Sequence, residues 1–364
     1  MKTRNLFLIT VLTILLGGNC FAQIQNFEWQ GVQRQYLVRT PENAESLPVM
    51  FFLHGLGDNI TRCDNEFHFQ QIAENFGWMV VIPQALNEGY GTMWNAGLTA
   101  STTNDSGFLM ALLDSLAVQY PVNQDSIFFT GFSMGGFMSH RMAIEHGDRI
   151  NAAAPVSGII AQPMANHTAV APVRMLHIHG TNDPVVGYDG YSEYFGYDLG
   201  LSVDEIIDYW KNANGCTNEP IVDTLPDLQN DGLRFVEYIY PGTKELRHLK
   251  VIGGNHTWYH SDNQYDIGYM NYIHDFFTGK LSYDKVSNPT TGSLNVYPNP
   301  TNGQIKIQLS SPTTVEVIDS QGHTVLQQQT DSCFVIIDLK GAQSGIYFVK
   351  ANGVTEKLSL NNFL

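Results

Sequence analysis

The chain has 364 residues, 43% hydrophobic and 12% aromatic, enough apolar side chain for one large or two unequal cores. Its 19 Lys and Arg against 35 Asp and Glu leave a formal charge of −16. That balance argues against nucleic acid or anionic lipid as a partner, since either needs a basic face to displace counterions.

At the N-terminus Lys2 and Arg4 precede an apolar run over 6–16 and then Cys20-Phe-Ala22. This reads as an export signal over 1–22, with an apolar run too short to span a bilayer and small residues that suit a signal peptidase. No membrane span is expected in the mature chain. Cys20 as a lipoprotein acceptor is the weaker reading, because Gly-Gly-Asn before it fits a lipobox poorly. Export leaves Cys63, Cys216 and Cys333 where disulfides persist, and their spacing matches no zinc site, so no metal is expected.

Alternation over 33–39 predicts an early antiparallel strand. Residues 48–53 form a continuous apolar run, the pattern of a strand buried on both faces of a parallel sheet. It ends in His54-Gly-Leu-Gly-Asp58, where two glycines let the backbone fold back with its N–H groups free, as the second donor of an oxyanion hole requires. A helix over 66–76, a strand over 78–82 and an amphipathic helix over 108–120 follow.

Next comes Ser126-Ile-Phe-Phe-Thr-Gly-Phe-Ser-Met-Gly-Gly136, a strand running into G-x-S-x-G and then a helix. Gly131 and Gly135 lack the side chains that would collide in so tight an elbow. Ser133 is left exposed at its tip as a nucleophile, and the Met134 N–H points at whatever it attacks. Further strands are expected over 150–156 and 173–178. Strands alternating with helices predict a doubly wound, mostly parallel α/β sheet whose ligands sit at the carboxyl ends of its strands.

Just past one such end, Asp183 lies in His179-Gly-Thr-Asn-Asp-Pro184, placed to hold an imidazole by its N–H. A last strand over 247–252 leads to Gly253-Gly-Asn-His-Thr-Trp258, where His256 on a loop can turn Nε2 towards Ser133. His177 and His248 fall on strands and His274 on the closing helix, which suits structural roles; His260 is a further rival. The order Ser133, Asp183, His256 is that of the α/β-hydrolase fold. An aromatic stretch over 187–197 follows the acid loop and suits sugar or phenolic rings, or a packed surface loop, equally well. Tyr188, Tyr191, Trp94, Asn95 and Trp258 are candidate substrate contacts, the tryptophans serving as walls or as core.

Residues 34–277 resemble the secreted esterases grouped as polyhydroxybutyrate depolymerase-like and feruloyl or acetylxylan esterases. The resemblance rests on His54-Gly-Leu-Gly, Trp94-Asn95, Asp105-Ser-Gly-Phe108, Gly131-Phe-Ser-Met-Gly-Gly136, Ala154-Pro-Val-Ser-Gly158, His179-Gly-Thr-Asn-Asp-Pro184, Trp210-Lys-Asn-Ala-Asn-Gly-Cys216 and Gly253-Gly-Asn-His-Thr-Trp258. It implies Ser133 as nucleophile, Asp183 as acid, His256 as base, the Leu56 and Met134 amides as oxyanion hole, and no cofactor. In such relatives the Cys of Asn-Gly-Cys often pairs with one on the following strand. Residues 238–243 hold none here, which makes Cys63 the candidate disulfide partner of Cys216.

A Ser, Asn, Pro, Thr and Gly-rich linker is expected over 284–293, which bounds a catalytic domain over 23–283. Over 294–364, short alternating runs broken by Asn-Gly and Gln-Gly predict a small all-β sandwich. Leu294-Asn-Val-Tyr-Pro-Asn-Pro-Thr-Asn-Gly303 and Ser344-Gly-Ile-Tyr-Phe-Val349 resemble the C-terminal sorting domain of the type IX secretion system. That resemblance implies the secretion machinery as a partner and export across both membranes of a Gram-negative cell, to the surface or medium. A carbohydrate-binding sandwich is the weaker alternative, since the tail has no Trp.

Together these features predict a secreted serine esterase acting on feruloyl or acetyl esters of xylan, with a polyester depolymerase as the alternative. A prolyl-peptidase-like hydrolase lacks its usual gating domain here, and a non-catalytic surface binding protein does not require all three of Ser133, Asp183 and His256.

Overall fold

The computed structural model describes residues 23–281 except 43, 90, 218, 226, 228, 230 and 261–264, and residues 294–360 except 298–300, 302, 310–312 and 331–333. The export signal, Cys20, the linker and Cys333 lie outside the described residues. The chain divides into two compact units between Leu281 and Ser282.

The first unit runs β1 (Gln25–Trp29), β2 (Val32–Arg39), β3 (Leu47–Leu53), α1 (Ile60–Phe67), α2 (Phe69–Phe76), β4 (Met79–Pro83), α3 (Asp105–Gln119), β5 (Val122–Phe132), α4 (Met134–His146), β6 (Ala152–Val156) and β7 (Arg174–Gly180). After a small hairpin of β8 (Tyr191–Ser192) and β9 (Tyr197–Asp198) come α5 (Val203–Asn214), β10 (Ile221–Thr224), β11 (Arg234–Tyr240), β12 (Leu246–Ile252) and α6 (Tyr269–Phe277). Among the described residues ten strands form one sheet in the order β1-β2-β4-β3-β5-β6-β7-β12-β11-β10. The six central strands, β4 to β12, pair in parallel, and antiparallel pairs close both edges.

The central strands are parallel because they can be buried twice over. Along β3, Val49, Phe51 and Leu53 face a core shared with α3, α4 and α5, while Met50 and Phe52 face one shared with α1, α2 and α6. Alanines at 152–154 of β6 leave room for α4, which approaches closely enough that a Cβ on Gly136 would lie 2.8 Å from the Val156 carbonyl.

The helix expected over 66–76 begins earlier and breaks. His68 takes a left-handed conformation, φ 52°, ending α1 and starting α2. Strand β10 has no counterpart in the sequence reading, because its half-exposed pattern lacks a continuous apolar run.

The second unit comprises β13 (Asn295–Tyr297), β14 (Gln304–Gln308), β15 (Thr313–Asp319), β16 (Thr324–Thr330), β17 (Phe334–Asp338), β18 (Gly345–Ala351) and β19 (Val354–Leu360). Its sheets, β13-β14-β17 and β16-β15-β18-β19, enclose a common core that includes Ile305, Ile307, Val317, Val349 and Leu358. Among the described residues no helix is long and apolar enough to cross a membrane.

Candidate active site

Ser133 sits between β5 and α4 with φ 56° and ψ −120°, a strained conformation for a residue with a side chain. Its neighbours show how tight the elbow is. A Cβ on Gly135 would lie 1.8 Å from the Leu53 carbonyl oxygen, and one on Gly131 would lie 2.5 Å from the same atom. The Ser133 N–H is held by the Val156 carbonyl at 2.9 Å, while the residue itself stays partly exposed.

Asp183 follows β7 and is fully buried. Oδ1 accepts the Val185 and Val186 N–H groups at 2.9 Å each, and Oδ2 faces His256 Nδ1 at 2.7 Å. A carboxylate only accepts, so the proton of this contact is on Nδ1 and the lone pair is on Nε2. The His256 ring lies 4.7 Å from that of Phe132, the residue before Ser133. Asp183, His256 and the elbow are thus brought to one end of the sheet.

The rival histidines lie elsewhere. His260 approaches Glu66, His274 stacks on Phe76 at 3.8 Å, and His248 receives the Tyr188 hydroxyl at 2.8 Å. His177 is buried within β7, beside His140.

The loop after β3 lies against the elbow, since a Cβ on Gly55 would be 3.7 Å from Ser133 Cβ. The Gly57 N–H is bonded to the Thr92 carbonyl. Among the described residues, the Leu56 and Met134 N–H groups donate to no protein acceptor.

Sequence reasoning gave His54 no role of its own, yet it holds this loop. Nε2 accepts the Ala85 N–H at 3.1 Å, which leaves the proton on Nδ1 to be donated to the Gly55 carbonyl at 2.7 Å. Burial pushes its pKa down and keeps the ring neutral. Its place directly after a buried strand and before two glycines was the signal available.

Three expectations are corrected. Trp94 is 1% exposed and its indole N–H is donated to the His54 carbonyl, so it backs the loop and walls no pocket. Asn95 spends its amide on the Ser101 and Thr103 carbonyls, and its N–H on Asp105, which is paired with Arg34 at 2.7 Å. Trp258 is core, packed on Phe52, Phe67 and Tyr269.

The Cys63–Cys216 disulfide is also overturned, both being free thiols. Cys63 packs on the α1 face near the carboxyl end of β3, with its thiol turned to Asp58. Cys216 packs towards the opposite core, at the β11–β12 turn beside the amino end of β12. The sheet separates them. Tyr188 and Tyr191, by contrast, do line a cleft of about 500 Å³ together with Asp183 and Glu193.

Residues 35–193 match the phospholipase/carboxylesterase family, and residues 295–361 match the secretion system C-terminal sorting domain. A bifunctional acetylxylan esterase/xylanase of Neocallimastix patriciarum is 26% identical over 232 residues, 63% of this chain and 31% of the relative. Feruloyl esterase B of Piromyces equi is 25% identical over 200 residues, 52% of this chain and 37% of the relative. The chain therefore spans well under half the length of either. Among solved structures, acetyl xylan esterase from Aspergillus awamori superposes with a TM-score of 0.52 at 16% identity, over 70% of this chain and 99% of that one. The first unit thus has the α/β-hydrolase fold, with its phospholipase/carboxylesterase match confined to residues 35–193, and the chain's C-terminal unit carries the match to a secretion system C-terminal sorting domain.

Proposed function

We propose that the chain is an exported serine esterase that removes acyl groups, feruloyl or acetyl, from plant cell-wall polysaccharide such as xylan. The observation that carries this reading is the buried Asp183–His256 pair beside a strained Ser133, with two unspent amides next to it. His256 Nε2 takes the Ser133 proton as Oγ attacks the ester carbonyl, and the Leu56 and Met134 N–H groups receive the developing oxyanion. The imidazolium then protonates the departing sugar hydroxyl. Water, deprotonated by the same Nε2, splits the acyl-enzyme and frees Ser133. Asp183 keeps the His256 tautomer fixed throughout.

The names of the relatives support the choice of ester, and the sorting domain supports export across both membranes of a Gram-negative cell. On this reading 1–22 is the removed signal, 23–283 the catalytic domain, 284–293 a linker and 294–364 the domain that engages the type IX machinery.

The test is acid release by the full chain and by Ser133→Ala from feruloylated xylan, acetylated xylan and polyhydroxybutyrate. Release from a xylan ester that disappears in the variant is the expected result. Release from the polyester alone would replace the substrate, and equal release by the variant would remove Ser133 from the mechanism.

A further inference from the structure

Past Tyr188, which packs against a core, the aromatic stretch that follows the acid loop is used by neither the proposed triad nor a core. It forms the β8–β9 hairpin, on which Tyr191, Tyr194, Phe195 and Tyr197 all stand exposed, Tyr194 most of all at 74%. Exposed rings on a floppy loop would mean little, but this hairpin is fixed. The Phe195 N–H is donated to the buried Ser192 Oγ at 3.0 Å and the Gly196 N–H to the Ser192 carbonyl at 2.8 Å. The Tyr194 N–H is donated to the Pro184 carbonyl at 2.9 Å, which ties the hairpin to the residue after Asp183. The rings also brace one another: Tyr194 and Phe195 meet edge to face at 5.0 Å, and Phe195 and Tyr197 lie 6.0 Å apart. A contiguous apolar patch held in water by a rigid hairpin marks a binding surface whose ordering cost has already been met.

We infer that this hairpin is a platform for the sugar chain of a neutral polysaccharide, a subsite that holds the polymer while its ester enters the adjoining site; naming the polymer rests on the esterase reading above. Three observations choose this occupant. The hairpin is continuous with the cleft beside Asp183, since Tyr191 and Glu193 belong to both. Its charged residues, Asp189, Glu193 and Asp198, are all acidic, and residues 187–202 contain no Lys or Arg, which repels anionic polymers and lipid headgroups. Carboxylates among the rings accept hydrogen bonds and donate none, so they suit a ligand with an apolar face and many hydroxyl donors. A sugar ring has both, with C–H groups to lie on Tyr and Phe faces and hydroxyls to reach the carboxylates. A polyester chain offers the apolar surface but no donors.

The experiment reads binding without turnover. Full-length chain carrying Ser133→Ala is sedimented with insoluble xylan, beside the same chain with Tyr194→Ala, Phe195→Ala and Tyr197→Ala, and beside one with Tyr194→Trp and Tyr197→Trp. The alanine set should weaken retention about tenfold or more, three stacking rings being lost, while the tryptophan pair keeps it. Matching thermal midpoints would show that the fold is intact, as expected for exposed side chains. Equal retention after the alanine set, or no retention of the parent chain, overturns the platform. So does tighter, hairpin-dependent retention on polyhydroxybutyrate granules. Hairpin-dependent retention on xylan by a chain that, with Ser133 in place, releases no acid from it supports the platform and overturns the esterase reading alone.

Discussion

His54 makes no bond to substrate in the proposed mechanism, yet its two ring nitrogens decide where one oxyanion donor points. With Nδ1–H on the Gly55 carbonyl and Nε2 on the Ala85 N–H, the Gly55–Leu56 peptide has one orientation, its carbonyl turned back and its N–H left for the ligand. His54→Leu removes both bonds, leaving the buried Ala85 N–H without its imidazole acceptor and the Gly55 carbonyl with the Asp58 N–H at 3.3 Å as its remaining donor. We expect kcat on a small soluble ester to fall about 100-fold, the scale of losing one oxyanion donor, with KM changed little. An unchanged kcat would mean that the loop is held by other contacts. At this scale Ser133, Asp183 and His256 were legible because each follows a buried strand in a loop whose chemistry is written locally, in glycines and Asx turns. Trp94 and Asn95 were misread because their partners, the His54 carbonyl and the Ser101 and Thr103 carbonyls, are set by tertiary packing and leave no local pattern.

Helix α5 connects the surface to the inside of the sheet. Its start is a capping box, with Ser202 Oγ accepting the Glu205 N–H at 3.3 Å and the Ser202 N–H donated to the Glu205 carboxylate at 2.8 Å. Further along, Trp210 is fully buried and donates its indole N–H to His140 Nδ1 at 3.1 Å. Ser202→Ala should cost about 1 kcal/mol, read as a lower urea midpoint with an unchanged slope. A midpoint that does not move would show the cap to be replaced by water. Elements were readable where one period ran long enough, as in the buried runs of β3, β4 and β5. The edge strand β10 was not, since its alternate residues face solvent and Asp and Asn interrupt the approach. The disulfide failed for a related reason: distance along the chain does not say which face of a sheet a helix covers, and Cys63 and Cys216 are on different ones.

Across the whole molecule the acid limit of stability is set by histidines that the fold keeps neutral. His140 Nδ1 accepts from Trp210, so its Nε2–H is donated to His177 Nδ1 at 3.2 Å. His248 donates Nδ1–H to the His177 carbonyl at 3.0 Å and receives the Tyr188 hydroxyl on Nε2. His179 donates Nε2–H to the Val186 carbonyl at 2.8 Å. Protonating His140 would turn an accepting nitrogen against the Trp210 N–H, which can only donate, and protonating His248 would force the Tyr188 hydroxyl to withdraw its proton and turn round. Burial, reinforced by His179 next to both and by Lys250 next to His248, pushes the pKa of His140 and of His248 down to about 3. Burial also lowers His177 and His179, the latter partly offset by Asp183. The unfolded chain binds these protons at the ordinary histidine value of about 6.5. Between that value and the folded one the unfolded state holds more protons, so stability is complete above about pH 6.5 and declines as pH falls. At pH 5 each of His140 and His248 costs roughly 2 kcal/mol, together about 4 kcal/mol against a typical total of about 5–15 kcal/mol. The thermal midpoint should therefore drop steadily from pH 7 to pH 5, before ordinary carboxylates titrate. Unfolding at pH 5 should take up about two or more protons per chain, measurable from the buffer dependence of the calorimetric enthalpy. A flat midpoint over that range, with no proton uptake, would mean that these imidazoles are charged or solvated in the folded protein.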